Sequence, residues 1–299
     1  MWVRVGWIEP PIGLGEWCAS HLSLPFCIPQ NATEYRVFFS SRDSDQRSHV
    51  GWVDVVFNSD HSFKTSFGTS PVVCPGNAGT FDEHGVSGSY FEIVDKSLRV
   101  WNFGWQRLQG KAWSNAIGLA EISIYDAEST AENTLIIKSN EFEQHGLAYP
   151  YIISQNSIRY LFYGAFDLYG IPSLNEPYSF ISKRAEIGDD FRLSDRSPMI
   201  AHLNGKSAQS RPCIIRDGSG YRAWVSVKGD KYEICSAYSL DLRNWYWSDE
   251  GYDLRPNGLN EESQEVCYSH VVDFMDSRLM FYNGDGFGKS GIGIAKWQE

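Results

Sequence analysis

Ser210 to Trp247 reads SRPCIIRDGSGYRAWVSVKGDKYEICSAYSLDLRNWYW and breaks into four short extended runs: Pro212–Arg216, Tyr221–Val227, Tyr232–Tyr238 and Trp245–Trp247. Ile, Val, Tyr and Trp suit a pleated, half-buried surface, and the Gly, Asp and Asn between the runs are turn formers. The stretch therefore predicts strands rather than helix. Four antiparallel strands in about 40 residues amount to one blade of a β-propeller.

A propeller needs further copies, and they are present. The second strand recurs at Tyr35–Phe39, Leu98–Trp101, Ile158–Phe162, Tyr221–Trp224 and Ser277–Tyr282. Each copy carries an arginine at the same place: Arg36, Arg99, Arg159, Arg222 and Arg278, in steps of 63, 60, 63 and 56 residues. An extended run follows each copy, and another precedes it, beginning near Pro25, Ser89, Pro150, Pro212 and Ser269. The fold expected is all-β, a single five-bladed β-propeller domain over residues 1–299. Its last repeat lacks an outer strand, and Trp2–Ile8 is the free run that fits. Residues 2–8 are expected to complete the last blade, close the ring and remove its open edge.

The 299 residues include 11 Trp, 16 Tyr and 17 Phe, ample aromatic surface for strands packed face to face. A net charge of −11 argues against a nucleic-acid partner, which needs a basic footprint. No run of 18 apolar residues exists to span a membrane, and the N-terminus shows no apolar signal region, so a cytoplasmic location is expected. The six cysteines have no metal-type spacing and read as reduced, buried side chains. His84, His145 and His270 share no ligand spacing, so neither a catalytic metal nor a cofactor is expected. The recurrent arginines lie away from the strand ends that matter below and read as pairing between blades. Residues 126–144 are weakly patterned and read as a link with a helical turn or two. Asp167–Glu176 reads as a rim or lid, and Gly284–Lys289 as a glycine-rich turn.

In each blade the start of the first strand, the end of the second and the start of the third fall at one end of the propeller, so these segments converge on a funnel. The rule collects His21, Arg42, Asp43, Asp82, His84, Trp105, Asn115, Tyr149, Arg211, Lys228, Glu265, Tyr268 and Asn283. Acids, cations and aromatic rings together suit a carbohydrate, whose hydroxyls need polar partners and whose CH face stacks on a ring. Glycosidic cleavage needs two carboxyl groups across the bond, and Asp82 and Glu265 are the leading pair for acid/base roles. Arg211, Lys228, Arg42 and His21 would hold polar groups, acidic or phosphorylated ones included, and Trp105 or Tyr268 would stack. The plainer readings stand beside these. Asp82 ahead of Gly85 also fits a turn, Glu265 a solvated loop acid, and His21 a hydrogen-bonded pore residue.

The segments GTFDEHGV (79–86), SRPCII (210–215), EVCYSHVVDF (265–274) and LMFYNGDGFGKSGIGIAKW (279–297) carry a resemblance. They resemble the five-bladed propellers of glycoside hydrolase families 43, 32 and 130, and more closely the glycosidase-like propellers found among bacterial sugar-biosynthesis proteins. The resemblance covers nearly the whole chain and implies a glycosidase-like enzyme acting on a sugar or sugar conjugate in the central funnel. Family 43 places an acid just ahead of the first inner strand's proline, where this chain has Leu24, and a glutamate two residues before the third blade's proline, where it has Ala148. The alternatives are a carbohydrate-binding propeller without catalysis and a phosphorolytic enzyme whose cations hold the attacking phosphate.

Overall fold

Alternating aromatic and β-branched residues form the strands here, and Gly, Asp and Asn end them. The structure, a computed structural model, describes residues 1–60, 62–107, 114–123, 130–143, 146–168, 179–203, 206–274 and 277–298. The architecture is all-β, with every strand pairing antiparallel along its length. One sheet holds β2 (Ser20–Pro29), β3 (Glu34–Arg42), β4 (Ser48–Phe57) and β5 (Phe63–Phe67) in chain order. A second holds β6 (Val86–Val94), β7 (Ser97–Gln106), β8 (Ser114–Ser123) and β9 (Asn133–Ile137).

Two further runs follow: β10 (Leu147–Gln155), β11 (Ile158–Leu168), β12 (Ser179–Ile187) and β13 (Leu193–Pro198), then β14 (Ala208–Asp217), β15 (Gly220–Lys228), β16 (Tyr232–Ser239) and β17 (Tyr246–Leu254). A parallel bridge between Phe180 and Ala208 links these two runs into one hydrogen-bonded sheet. The last sheet has the order β1 (Trp2–Ile8), β20 (Ile292–Trp297), β19 (Ser277–Asn283) and β18 (Cys267–Phe274). The first strand of the chain thus pairs with the last, in a register running from Trp2 opposite Trp297 to Ile8 opposite Ile292.

In the first two sheets the fourth strand is the most exposed. In β3 Val37 and Phe39 are fully buried, whereas the middle of β5 is exposed. Trp2, Trp224 and Tyr282 share one core cluster and Trp101 and Tyr163 another, so aromatic rings fill the space between neighbouring sheets. One cluster differs: Leu24, Phe103, Phe180, Tyr232 and Tyr268 draw on every sheet at once. It marks the place where the sheets converge.

Several expectations change in detail. The described part of residues 126–144 contains a strand, β9, and no helical turn, because Asn133–Ile137 finds a partner edge in β8. The Gly284–Lys289 segment makes one helical turn at Asp285–Gly288, with Gly286 and Phe287 left-handed inside it. The recurrent arginines divide. Arg159 reaches Glu92 of another sheet at 3.0 Å, and Arg278 reaches Asp217 at 3.1 Å. Arg36, Arg99 and Arg222 instead pair within their own runs, with Asp54, Glu121 and Asp217. Residues 169–176 of the expected lid, and His145, lie outside the described residues. All six cysteines are free, and only Cys74 is not buried. No described helix is long and apolar enough to cross a membrane.

Candidate functional site

The site originates in a repeated irregularity of the innermost strands. Each of β2, β6, β10, β14 and β18 loses register with its neighbour near its start, at Ser23/Phe26, Gly88/Tyr90, Ala148/Tyr151, Ser210/Cys213 and Cys267/His270. Leu24, Tyr149, Arg211 and Tyr268 fall in these breaks with φ of 54°, 56°, 50° and 54°. A bulge re-aims its side chain, and a left-handed residue other than glycine is held there only by its surroundings. Three of the four precede Pro25, Pro150 and Pro212, which have no N–H to leave unpaired where the ladder breaks.

Leu24, Tyr149 and Tyr268 consequently face a cavity of about 500 Å³, and Ser210, next to Arg211, borders it too. On the side of β3, β4, β6, β7 and β8 the wall is polar: Ser40, Arg42, Ser48, Ser87, Trp105, Arg107 and Asn115, with Phe103 beside them. On the other side it is largely aromatic, with Tyr149, Phe166, Phe180, Tyr232, Tyr268 and Phe287, together with Lys228. Among the described residues no aspartate or glutamate lines it.

Of the residues expected in the funnel, Arg42, Trp105, Asn115, Tyr149, Lys228 and Tyr268 border this cavity. Trp105 is fixed by donating its indole N–H to Ser48 Oγ at 2.8 Å. Gly85, at φ 153°, makes room for that contact, since a Cβ would run into both partners. Arg107 lies over the Trp105 ring at 5.5 Å and donates its backbone N–H to His84 Nδ1 at 3.3 Å. His84 thus supports the Trp105–Arg107 corner from behind. Tyr149 and Tyr268 meet through their hydroxyls at 3.2 Å, and burial pushes the Tyr268 phenol well above its ordinary value.

The other expected residues brace the walls. Arg211 is buried beneath the aromatic side and donates to the carbonyls of Tyr268 and Pro25. Burial brings its pKa down to about 10. Asn283 accepts from the Leu24 N–H and donates to the Leu22 carbonyl, both at 2.8 Å, tying β19 to β2. His21 is buried close to Arg42 and Lys289, and burial first, then those charges, lower its pKa to about 4. Asp43 accepts the Arg47 N–H at 2.8 Å and the Arg47 guanidinium at 2.9 Å, with His49 Nε2 at 3.2 Å. Burial raises the Asp43 pKa, but these donors outweigh it and hold the carboxyl below its ordinary value.

The two leading acids are not brought together on the cavity wall. Asp82 is buried, one oxygen accepting from Thr80 Oγ1 and the other from Asn133 Nδ2, both at 2.8 Å. Glu265 is half-buried and accepts the Phe287 N–H at 2.8 Å. Burial raises its pKa, against the pull of that N–H and of Lys228. It therefore stands behind two lining residues, Phe287 and Lys228, without lining the cavity itself.

Arg107, Phe166, Phe180, Tyr232 and Phe287 were missed from the sequence. Arg107 and Phe166 lie at or just past the end of a second strand, and Phe180 and Tyr232 at the start of a third, so the strand-end rule reaches them.

No family model matches the chain. The Mycobacterium tuberculosis protein MT1551 is 31% identical over 300 residues, covering 98% of this chain and 98% of its own. The chain belongs to the family of that mycobacterial protein. Among solved structures, a glycoside hydrolase covers 99% of this chain and 91% of its own with a TM-score of 0.76 at 14% identity. A thermostable family-43 glycoside hydrolase covers 94% and 91% with a TM-score of 0.68 at 11% identity. The fold is that of these glycoside hydrolases.

Proposed function

We propose that the chain is one five-bladed β-propeller domain, its ring closed by β1, and that its cavity binds a carbohydrate or sugar conjugate bearing an acidic or phosphorylated group. The supporting observation is the wall itself. Arg42 and Arg107 border it with serine hydroxyls and a tryptophan, while no carboxylate among the described lining residues neutralises them. An anion carried on a sugar supplies the missing charge, and guanidinium groups are the side chains best shaped to take it. The shared fold with glycoside hydrolases supports the carbohydrate half of the reading by analogy.

As an enzyme the protein is glycosidase-like with Glu265 as its single acid. Burial keeps more of that carboxyl protonated than in water, and a proton from it would reach a leaving oxygen only past Phe287 and Lys228, which line the cavity in front of it. This reading leaves Asp82 out, because both its oxygens are occupied away from the wall. Hydrolysis needs a second carboxylate to activate water or attack the sugar, whereas an attacking phosphate needs only cations to hold it. A wall with cations and no second acid therefore favours phosphorolysis over hydrolysis, with binding without turnover as the remaining form.

Titration calorimetry with neutral sugars, uronic acids and sugar phosphates tests the binding claim. The charged compounds are expected to bind about tenfold more tightly than neutral ones, an advantage that added salt weakens. Equal affinity for neutral sugars would sink the reading. Turnover of glycosides with and without inorganic phosphate separates the chemistries. Phosphate-dependent release that is lost in Glu265→Gln, with binding retained, is the expected result.

A further inference from the structure

The cavity is divided by chemistry as well as by strand. Its β3–β8 side offers Arg42, Arg107 and the hydroxyls of Ser40, Ser48 and Ser87; its other side offers three phenylalanines, Phe166, Phe180 and Phe287. A bare sugar uses the first side through its hydroxyls and the second only through its CH face, since a phenylalanine ring is no polar partner for the hydroxyl rim of a pyranose. A flat, unsaturated ring suits the second, because every nucleobase has a π-face that stacks on aromatic side chains. The aromatic side is also continuous: Tyr149 meets Phe180 edge-on at 5.6 Å, and Tyr268 stacks with Phe287 at 6.2 Å.

Residues that border the same space carry buried polar atoms without a partner. Ser40 Oγ and Asn115 Oδ1 on the polar side and Ser210 Oγ on the aromatic side border the cavity and have no hydrogen-bond partner in the protein. Each residue is more than nine-tenths buried, and a buried polar group left unmatched costs stability unless something satisfies it. A volume of about 500 Å³ is ample for a ligand with two chemically different ends.

We infer that the ligand is a nucleoside diphosphate sugar, its diphosphate held by Arg42 and Arg107 and its base laid against the Tyr149–Phe180 and Tyr268–Phe287 rings. This rests on the anionic-carbohydrate reading above and names the class of compound. Phosphates lie at the middle of such a molecule, with sugar and base on either side, so anion and aromatic contacts occur together. Arg107 stands at the exposed rim, over the indole of Trp105, where a phosphate is reached without passing the aromatic wall.

The test is a titration of the intact chain with UDP-glucose, ADP-glucose and GDP-mannose, against glucose 1-phosphate, mannose 1-phosphate and inorganic pyrophosphate. At least one nucleotide sugar is expected to bind about tenfold more tightly than its matching sugar 1-phosphate and than pyrophosphate. Arg107→Ala is expected to weaken it about tenfold and to flatten its salt dependence. Phe287→Ala, at a partly exposed position, is expected to remove most of the preference for the nucleotide over the sugar phosphate while leaving the sugar phosphate's affinity unchanged. Sugar 1-phosphates binding as tightly as their nucleotide counterparts would overturn the inference and leave the anionic-sugar reading standing. No binding of any charged compound would overturn both.

Discussion

Asp82 and Glu265 occupy the same kind of place and meet opposite fates. Each lies in a connection leading into an innermost strand, Asp82 ahead of β6 and Glu265 ahead of β18. Around Asp82 the donors are side chains, Thr80 and Asn133, and they consume both carboxylate oxygens. Asn133 also accepts from Asn102, so the acid ends a buried chain of polar groups joining β7, β9 and the loop. Around Glu265 a backbone N–H of a turn is the donor, and the turn carries Phe287 to the cavity wall. Position in the repeat puts an acid near the centre; the nearest donors decide whether it serves the loop or the wall.

The sharpest way to break this comparison is to remove the first acid. Asp82→Ala leaves the half-buried Asn133 without its acceptor, while the exposed Thr80 keeps the Asn77 carbonyl, and is expected to cost about 1–2 kcal/mol in urea denaturation. A loss within measurement error would mean that the carboxylate is not the anchor of its loop.

A second test concerns the strand that Glu265 leads into. His270 in β18 is fully enclosed, and burial, helped by the Arg211 charge, lowers its pKa from 6.5 to about 3. Above pH 6.5 the folded and unfolded forms are both neutral at this group. As the pH falls below 6.5 the unfolded chain takes up the proton and the folded one does not, so stability is lost until about pH 3. The expected slope from this residue is about 1.4 kcal/mol per pH unit, read from denaturation at a series of pH values. His21, held down to about 4, adds in the same direction. A flat stability profile between pH 6 and 4, within roughly 0.5 kcal/mol, contradicts the assignment.

The smallest expected effect is that of Glu265→Gln on stability. The amide keeps an oxygen for the Phe287 N–H, so the change is expected to stay under about 1 kcal/mol. Its sign depends on pH. The folded Glu265 carboxyl titrates above its ordinary value, so the native chain retains this proton longer than the unfolded one. The wild type then loses stability relative to the variant as the pH rises from about 4.5 through the folded value. A wild type that gains on the variant over that interval reverses the assignment.

The repeat was legible because five copies of one strand carry an arginine in the same phase, and that phase locates strand ends and hence Arg42, Trp105 and Asn115 at the cavity. Phe166 and Tyr232 obey the same rule, but nothing in their residue types sets wall aromatics apart from core aromatics. The occupation of Asp82 was illegible for another reason. Its partner Asn133 lies 51 residues further on, in a segment whose weak pattern reads as helix and whose strand exists only because β8 offers an edge. Long-range donors of this kind leave no trace in local sequence.

The pairing of β1 with β20 has a consequence for how the molecule assembles. Trp2 stands opposite Trp297, so this ladder joins nearly the most distant points of the chain, and the entropy of bringing them together is spent before any of its bonds forms. The hairpins can zip locally as they are synthesised; Trp2–Ile8 waits, with its backbone donors unmet, for the final strand to emerge. Loop-closure entropy therefore predicts that the seam pairs after the local hairpins.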